Sequence, residues 1–116
     1  MQFENNIPIY IQLVEAMKLQ IIAGQLNPGD RIPSVRELAM LHKVNPNTMQ
    51  KALSELEDEA LIYTERTNGK FVTEDRELIA KHKKIYADCL ATRYLESMAA
   101  IGFDAEAAIS YIGKER

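Results

Sequence analysis

The stretch Ser34-Val35-Arg36-Glu37-Leu38-Ala39-Met40-Leu41-His42-Lys43-Val44-Asn45-Pro46-Asn47-Thr48-Met49-Gln50-Lys51-Ala52-Leu53 reads as two short helices around a tight turn. Ser34, followed three positions later by Glu37, forms a capping box. The hydroxyl and the carboxylate each satisfy a backbone amide left free at a helix start. The apolar positions Val35, Leu38, Ala39 and Leu41 carry this helix only to about His42. After Lys43-Val44 comes Asn45-Pro46, a second pairing of a capping side chain with a first-turn proline. Beyond it Met49, Ala52, Leu53, Leu56 and Ala60 recur at i, i+3, i+4, i+7 and i+11, one buried stripe on a helix whose other face is polar.

Working outward, Asn5-Asn6-Ile7-Pro8 opens a first helix, with Asn able to cap and Pro tolerated in the first turn. Ile9, Leu13, Met17 and Ile21 give it a broad apolar face to about Ala23, and Gly24 suits its C-terminal stop. Asn27-Pro28-Gly29-Asp30 places Pro and Gly at the central positions of a type II turn, where a fixed and then a positive φ are required. On the other side, from Leu61, the period falls to two. Ile62 to Arg66 and Lys70 to Thr73 flank Thr67-Asn68-Gly69, and an Asn-Gly pair between such runs signals a hairpin. Helical periodicity then returns from about Arg76 to Ile101, Gly102 interrupts it, and Asp104 caps a last short helix with Ala108, Ile109 and Ile112 on its apolar face.

The expected fold class is mainly α with a small β-hairpin (α+β). Residues 1–74 form an N-terminal winged helix-turn-helix, and 75–116 form a C-terminal two-helix dimerisation arm. A chain of 116 residues supports one modest core plus a small appendage. No apolar run approaches the roughly 20 residues of a membrane span, and MQFENNIPIY lacks the pattern of an export signal, so a cytoplasmic location without membrane contact is expected. A lone Cys89 excludes an internal disulfide framework and a multi-cysteine zinc site. Because it lies on the apolar stripe of the long helix, it reads as a small buried hydrophobe.

Net charge is −3, which argues against a polyanion partner until its distribution is considered. Arg31, Arg36, Lys43 and Lys51 face only Glu37 in their span, whereas Glu55, Glu57, Asp58 and Glu59 cluster further along the third helix. Those carboxylates must point away from any phosphate backbone. Asn47, Thr48, Gln50, Lys51 and Ser54 avoid the apolar stripe and can be presented together. Asn and Gln can pair bidentately with adenine, Lys can reach guanine or phosphate, and Thr can meet a thymine methyl. The same face could be merely solvated, and winged helices also serve as protein-protein interaction modules without specific DNA binding. His42 and His82 lack partners at ligand spacing and read as ordinary histidines, and neither a metal nor a cofactor is expected. An enzyme would need a nucleophile-base pair, a metal cluster or a phosphate loop, and the sequence presents none of these. Ile79, Tyr86, Leu90, Tyr94 and Met98, on one stripe of the long helix, are expected to form a dimer contact.

Two blocks carry a family resemblance: Pro28-Gly29-Asp30-Arg31-Ile32-Pro33-Ser34-Val35-Arg36-Glu37-Leu38-Ala39 and Val44-Asn45-Pro46-Asn47-Thr48-Met49-Gln50-Lys51-Ala52-Leu53. They resemble the GntR family of bacterial regulators, the second block being similar to its YtrA-like subfamily, and the likeness runs through Gly69-Lys70-Phe71-Val72 and the short tail. The resemblance implies a homodimer that binds a double-stranded DNA operator of inverted-repeat form, usually as a repressor, with control by a small-molecule effector left open. Carried over by position, it places Ser34 and Arg36 against the DNA backbone or adjacent base edges. It places Asn45, Asn47, Thr48, Gln50 and Lys51 at the recognition-helix end and Gly69 at the wing tip. The chain departs from the family at Thr67 and Ala60, where glycines are common.

Overall fold

A computed structural model describes residues 6–114. The element order is α1 (Ile9–Ile22), α2 (Val35–His42), α3 (Pro46–Asp58), β1 (Ile62–Glu65), β2 (Gly69–Val72), α4 (Arg76–Ala100) and α5 (Ala105–Lys114). The chain divides into two compact units, one ending at Ala80 and the other beginning at Lys81. Among the described residues no helix is long and apolar enough to cross a membrane.

The first unit is organised around α3. Met49, Ala52, Leu53 and Leu56 are all fully buried, and Leu13, Met17 and Ile21 of α1, Leu38 and Ala39 of α2, and Ile62 and Val72 of the hairpin close over them. Leu78 and Ile79, on the first turn of α4, also pack against this cluster. Not every expected core position is inside. Leu41 is 72% exposed, because on the helical wheel it sits about 120° from Val35, the centre of the α2 stripe, and about 160° from the buried Ala39.

The cap chemistry is as the sequence implies for α2 and α3. Ser34 Oγ accepts from the Glu37 amide at 3.1 Å while Glu37 Oε1 accepts from the Ser34 amide at 3.1 Å. Asn45 Oδ1 accepts from the Asn47 amide at 2.7 Å, with Pro46 in the first turn. At α1 the expectation changes. Pro8 itself occupies the cap position with no side-chain cap bond, and Gln12 Nε2 donates to the Ile7 carbonyl at 2.8 Å; Asn5 lies outside the described residues.

Four helices end alike. At each end a residue with positive φ turns the chain back, and the amide after it bonds to a carbonyl five residues earlier. The positive-φ residues are Gly24 after α1, Lys43 after α2, Ala60 after α3 and Gly102 after α4. The corresponding bonds are Gln25 to Gln20 (2.9 Å), Val44 to Ala39 (3.0 Å), Leu61 to Leu56 (3.0 Å) and Phe103 to Met98 (2.9 Å). Ala60 is therefore not the last member of the buried stripe but an exposed residue at φ +61 that stops the helix. The buried Leu56 and Leu61 flank it and fix where it falls.

The hairpin pairs Ile62 with Val72, Tyr63 with Phe71, Thr64 with Lys70 and Glu65 with Gly69, so Arg66-Thr67-Asn68 make the connection. Gly69 opens the return strand at φ +100. A third segment joins this ribbon. The expected type II turn, with Gly29 at φ +81 and the Asp30 amide bonded to the Asn27 carbonyl at 3.0 Å, leads residues 29–32 alongside β2. There Val72 donates to Asp30 at 2.8 Å, Ile32 donates to Lys70 at 2.9 Å, and Arg31 bridges Phe71. The wing root is thus clamped to the strand entering α2. On the inner face Glu57 Oε1 of α3 accepts from Lys70 Nζ and, at 2.9 Å, from Thr64 Oγ1. Lys70 Nζ also donates to Thr64 Oγ1 at 2.8 Å.

In the second unit α4 has no buried residue. Tyr94 Oη donates to the Ala108 carbonyl at 2.7 Å, Ala108 is fully buried, Phe103 meets Tyr111 edge-on at 5.8 Å, and Asp104 Oδ1 caps α5 through the Ala107 amide at 2.8 Å. Ile85 (52%), Leu90 (48%), Ile101 (71%) and Ile109 (64%) stand exposed. Cys89 is exposed as well, not buried, in an open hollow that it lines with α4 neighbours such as Ile85, Thr92 and Arg93.

Lys43→Gly and Ala60→Gly remove a β-carbon from left-handed positions. Each is expected to stabilise the fold by about 0.5–1 kcal/mol net of the added unfolded-state freedom, read as a higher urea midpoint; lower midpoints would contradict the assigned backbone. The Lys70 and Thr64 bonds hold the Glu57 carboxyl below its ordinary value of 4.5 despite the opposing effect of burial. The unfolded chain then binds the proton more readily, so the stabilisation is present above the ordinary carboxylate range and lost as pH falls through it and below. Glu57→Gln should be less stable than wild type at pH 7, and thermal melts should converge on acidification.

Candidate nucleic-acid interface

The first turns of α3 gather the predicted contact residues by simple geometry. At 3.6 residues per turn, Asn47 and Ser54 lie at the middle of the face opposite Met49, Ala52, Leu53 and Leu56, while Gln50 and Lys51 lie at its two edges, about 100° apart. Asn47, Gln50, Lys51 and Ser54 are exposed, and Thr48 is half-buried. Gln50 Nε2 donates to Ser54 Oγ at 3.4 Å, a long bond that leaves the amide carbonyl available. Asn45 uses its Oδ1 in the cap and keeps its amide N–H groups for other partners.

The edges of this face are held by different neighbours. On the Gln50 edge the next residues along are Glu57 and, from the wing, Thr64 and Lys70. On the other edge Lys51 Nζ sits over the ring of Tyr10 in α1, 4.0 Å from its centroid. Further along, Lys18 Nζ of α1 pairs with Glu59 Oε1 at 3.0 Å and lies 3.9 Å from Glu15. Two of the four clustered carboxylates, Glu57 and Glu59, are therefore matched within the fold by Lys70 and Lys18. That half of the segment's acidity fastens α3 to the wing and to α1, away from the helix start.

Ser34 and Arg36 stand at the exposed start of α2. The Ser34 oxygen is engaged by the Glu37 amide. Bonds from the Ser34 backbone and side chain, with Arg31 nearby, hold the Glu37 carboxyl below its ordinary value and keep the box charged. Arg36 makes no ion pair with any described residue, and the same is true of Arg31 and Lys43. Gly69 sits where a β-carbon would come 3.3 Å from Arg31 Nε, so the guanidinium lies against the wing at its return strand. Arg31, Ile32, Pro33, Ser34 and Glu37 line one shallow hollow.

Arg31 and Tyr10 were not legible as site residues. Arg31 falls between a turn and a cap, where no periodicity marks its direction; only the strand pairing with β2 aims it at the wing. Tyr10 reads from sequence as one more apolar residue of α1. Of the arm residues expected at a dimer contact, Ile79 packs on the core of its own winged unit and Tyr94 bonds within the arm. Tyr86 and Met98 are half-buried and Leu90 is exposed.

Residues 9–72 match the model of the gntR family of bacterial regulatory proteins. The HTH-type transcriptional repressor YtrA of Bacillus subtilis is 45% identical over 71 residues, which is 61% of this chain and 55% of that protein. A GntR family transcriptional regulator from Listeria monocytogenes superposes with a TM-score of 0.87 at 38% identity, covering 97% of this chain and 98% of that one. The AraR DNA-binding domain, solved in complex with operator ORR3, superposes with a TM-score of 0.57 at 30% identity over 63% of this chain and 88% of that one. With the capped α2, the exposed polar start of α3 and the clamped wing in their expected order, the chain belongs to the GntR family of bacterial transcriptional regulators.

Proposed function

We propose that this chain is a cytoplasmic repressor that binds an inverted-repeat operator as a homodimer, with the start of α3 in the major groove and the start of α2 on the backbone. The observation that carries the reading is the exposed cluster Asn47, Gln50, Lys51 and Ser54 on a helix whose opposite face is fully buried. Hydrogen-bonding side chains concentrated on the first turns of such a helix suit base edges, and the free amides there favour phosphate. Arg36, Lys43 and Arg31, which form no ion pairs among the described residues, supply cations for the backbone. The repressor sense follows the name of YtrA, and the operator follows the AraR complex.

The dimer reading rests on the apolar surface of the arm. Ile85 and Leu90 on α4, with Ile101 and Ile109 beyond, expose more apolar side chain than a short solvated segment needs, and a second copy would cover it. Two heads on one axis read half-sites about 34 Å apart, one duplex turn, or a small multiple of it. Within this reading a small-molecule effector acts by changing the separation of the heads.

Selection from random duplex DNA tests this directly. The intact chain should enrich an inverted repeat; Gln50→Ala should relax the preference at defined bases by about 1–3 kcal/mol; and a chain ending at Ala80, which keeps Leu78 and Ile79 on its core, should bind single half-sites weakly. No enrichment at low salt, together with salt-insensitive capture of a protein, would favour an interaction module instead.

A further inference from the structure

We propose that Tyr10 is a positioning residue for operator binding, its ring holding the Lys51 ammonium on the α1 edge of α3 with its charge intact. The inference rests on the DNA-reading assignment above and adds a division of labour within α3. Lys51 serves a phosphate on one flank, and Gln50 and Asn47 are left to the bases.

The two edges of α3 treat their lysines in opposite ways. On the wing edge Lys70 is bonded to the Glu57 carboxylate, which fixes the ammonium and also cancels its charge. On the α1 edge Lys51 Nζ lies 4.0 Å above the Tyr10 centroid and pairs with no carboxylate among the described residues. An aromatic face attracts a cation through its quadrupole and carries no net charge. It restricts a long, otherwise freely rotating side chain without neutralising it. The ring is itself fixed, because Tyr10 is half-buried and packs on the winged-unit core. A phosphate arriving on that flank meets a cation already in place, and the ordering cost is met in the free protein.

The test compares wild type, Tyr10→Phe, Tyr10→Leu, Lys51→Ala and the Tyr10→Leu, Lys51→Ala double variant on the selected duplex across a salt series. Tyr10→Phe keeps the π face and should bind within twofold of wild type. Tyr10→Leu should weaken binding about three- to fivefold, the size of an exposed cation-π contact. Lys51→Ala should lower the slope of log affinity against log salt by about 0.9, one phosphate contact. Adding Tyr10→Leu to Lys51→Ala should then cost nothing more, an outcome that loss of α1 packing alone would not give. Equal losses for the Phe and Leu variants, or an additive double variant, would overturn the proposal.

In the DNA-free protein the Lys51 ε-methylene resonance should be shifted upfield by the ring, in wild type and Tyr10→Phe but not in Tyr10→Leu. An unshifted resonance in wild type would overturn the cradle and leave the DNA reading standing. A shifted resonance in a protein that binds no duplex would overturn the DNA reading and, with it, the role given to the cradle.

Discussion

Burial of one stripe of α3 is the constraint on which the rest depends. Met49, Ala52, Leu53 and Leu56 are removed from solvent altogether, at roughly 1.5–3 kcal/mol for each large side chain. With α1, α2 and the hairpin root packed on that stripe, the helical period leaves Asn47, Gln50, Lys51 and Ser54 no direction but outward. The polar face is the geometric complement of the core. It cannot be rotated away without exposing the leucines, and this gives a recognition surface its rigidity.

The remaining interactions set the frame around that face. Glu57 ties α3 to both strands of the wing, Glu59 ties it to α1, and residues 29–32 tie the wing to the strand that leads into α2. An excess of acid in a protein that handles a polyanion is thereby reconciled with its work. Carboxylates at the far end of α3 are occupied by Lys18 and Lys70, while Arg31, Arg36 and Lys43 lie free of ion pairs among the described residues. The distribution of charge decides here, and the total of −3 does not.

What could be read from sequence was the chemistry that acts over three or four residues. The Ser34-Glu37 box, the Asn45-Pro46 cap, the stops at Gly24 and Gly102, the Pro28-Gly29 turn, the hairpin around Asn68-Gly69 and the Asp104 cap are all local, and all stand as expected. The misreadings share another cause. Ala60 adopts left-handed backbone that its side chain disfavours, because packing of Leu61 dictates the turn; periodicity alone placed it on the stripe. Cys89 was assigned to the interior from an apolar stripe that one copy of the arm does not cover. The pairing of 29–32 with β2, the placement of Arg31 beside Gly69 and the seat of Lys51 on Tyr10 are contacts between distant segments, which no local pattern encodes.

The central claim is that the exposed start of α3 occupies the major groove of a duplex. Dimethyl sulfate probing of the selected operator tests it most directly, since guanine N7 is methylated in the major groove and adenine N3 in the minor groove. Protection of guanine N7 in two symmetric patches about one helical turn apart is the expected result. Unprotected N7 positions throughout a duplex that the protein nonetheless binds would contradict it.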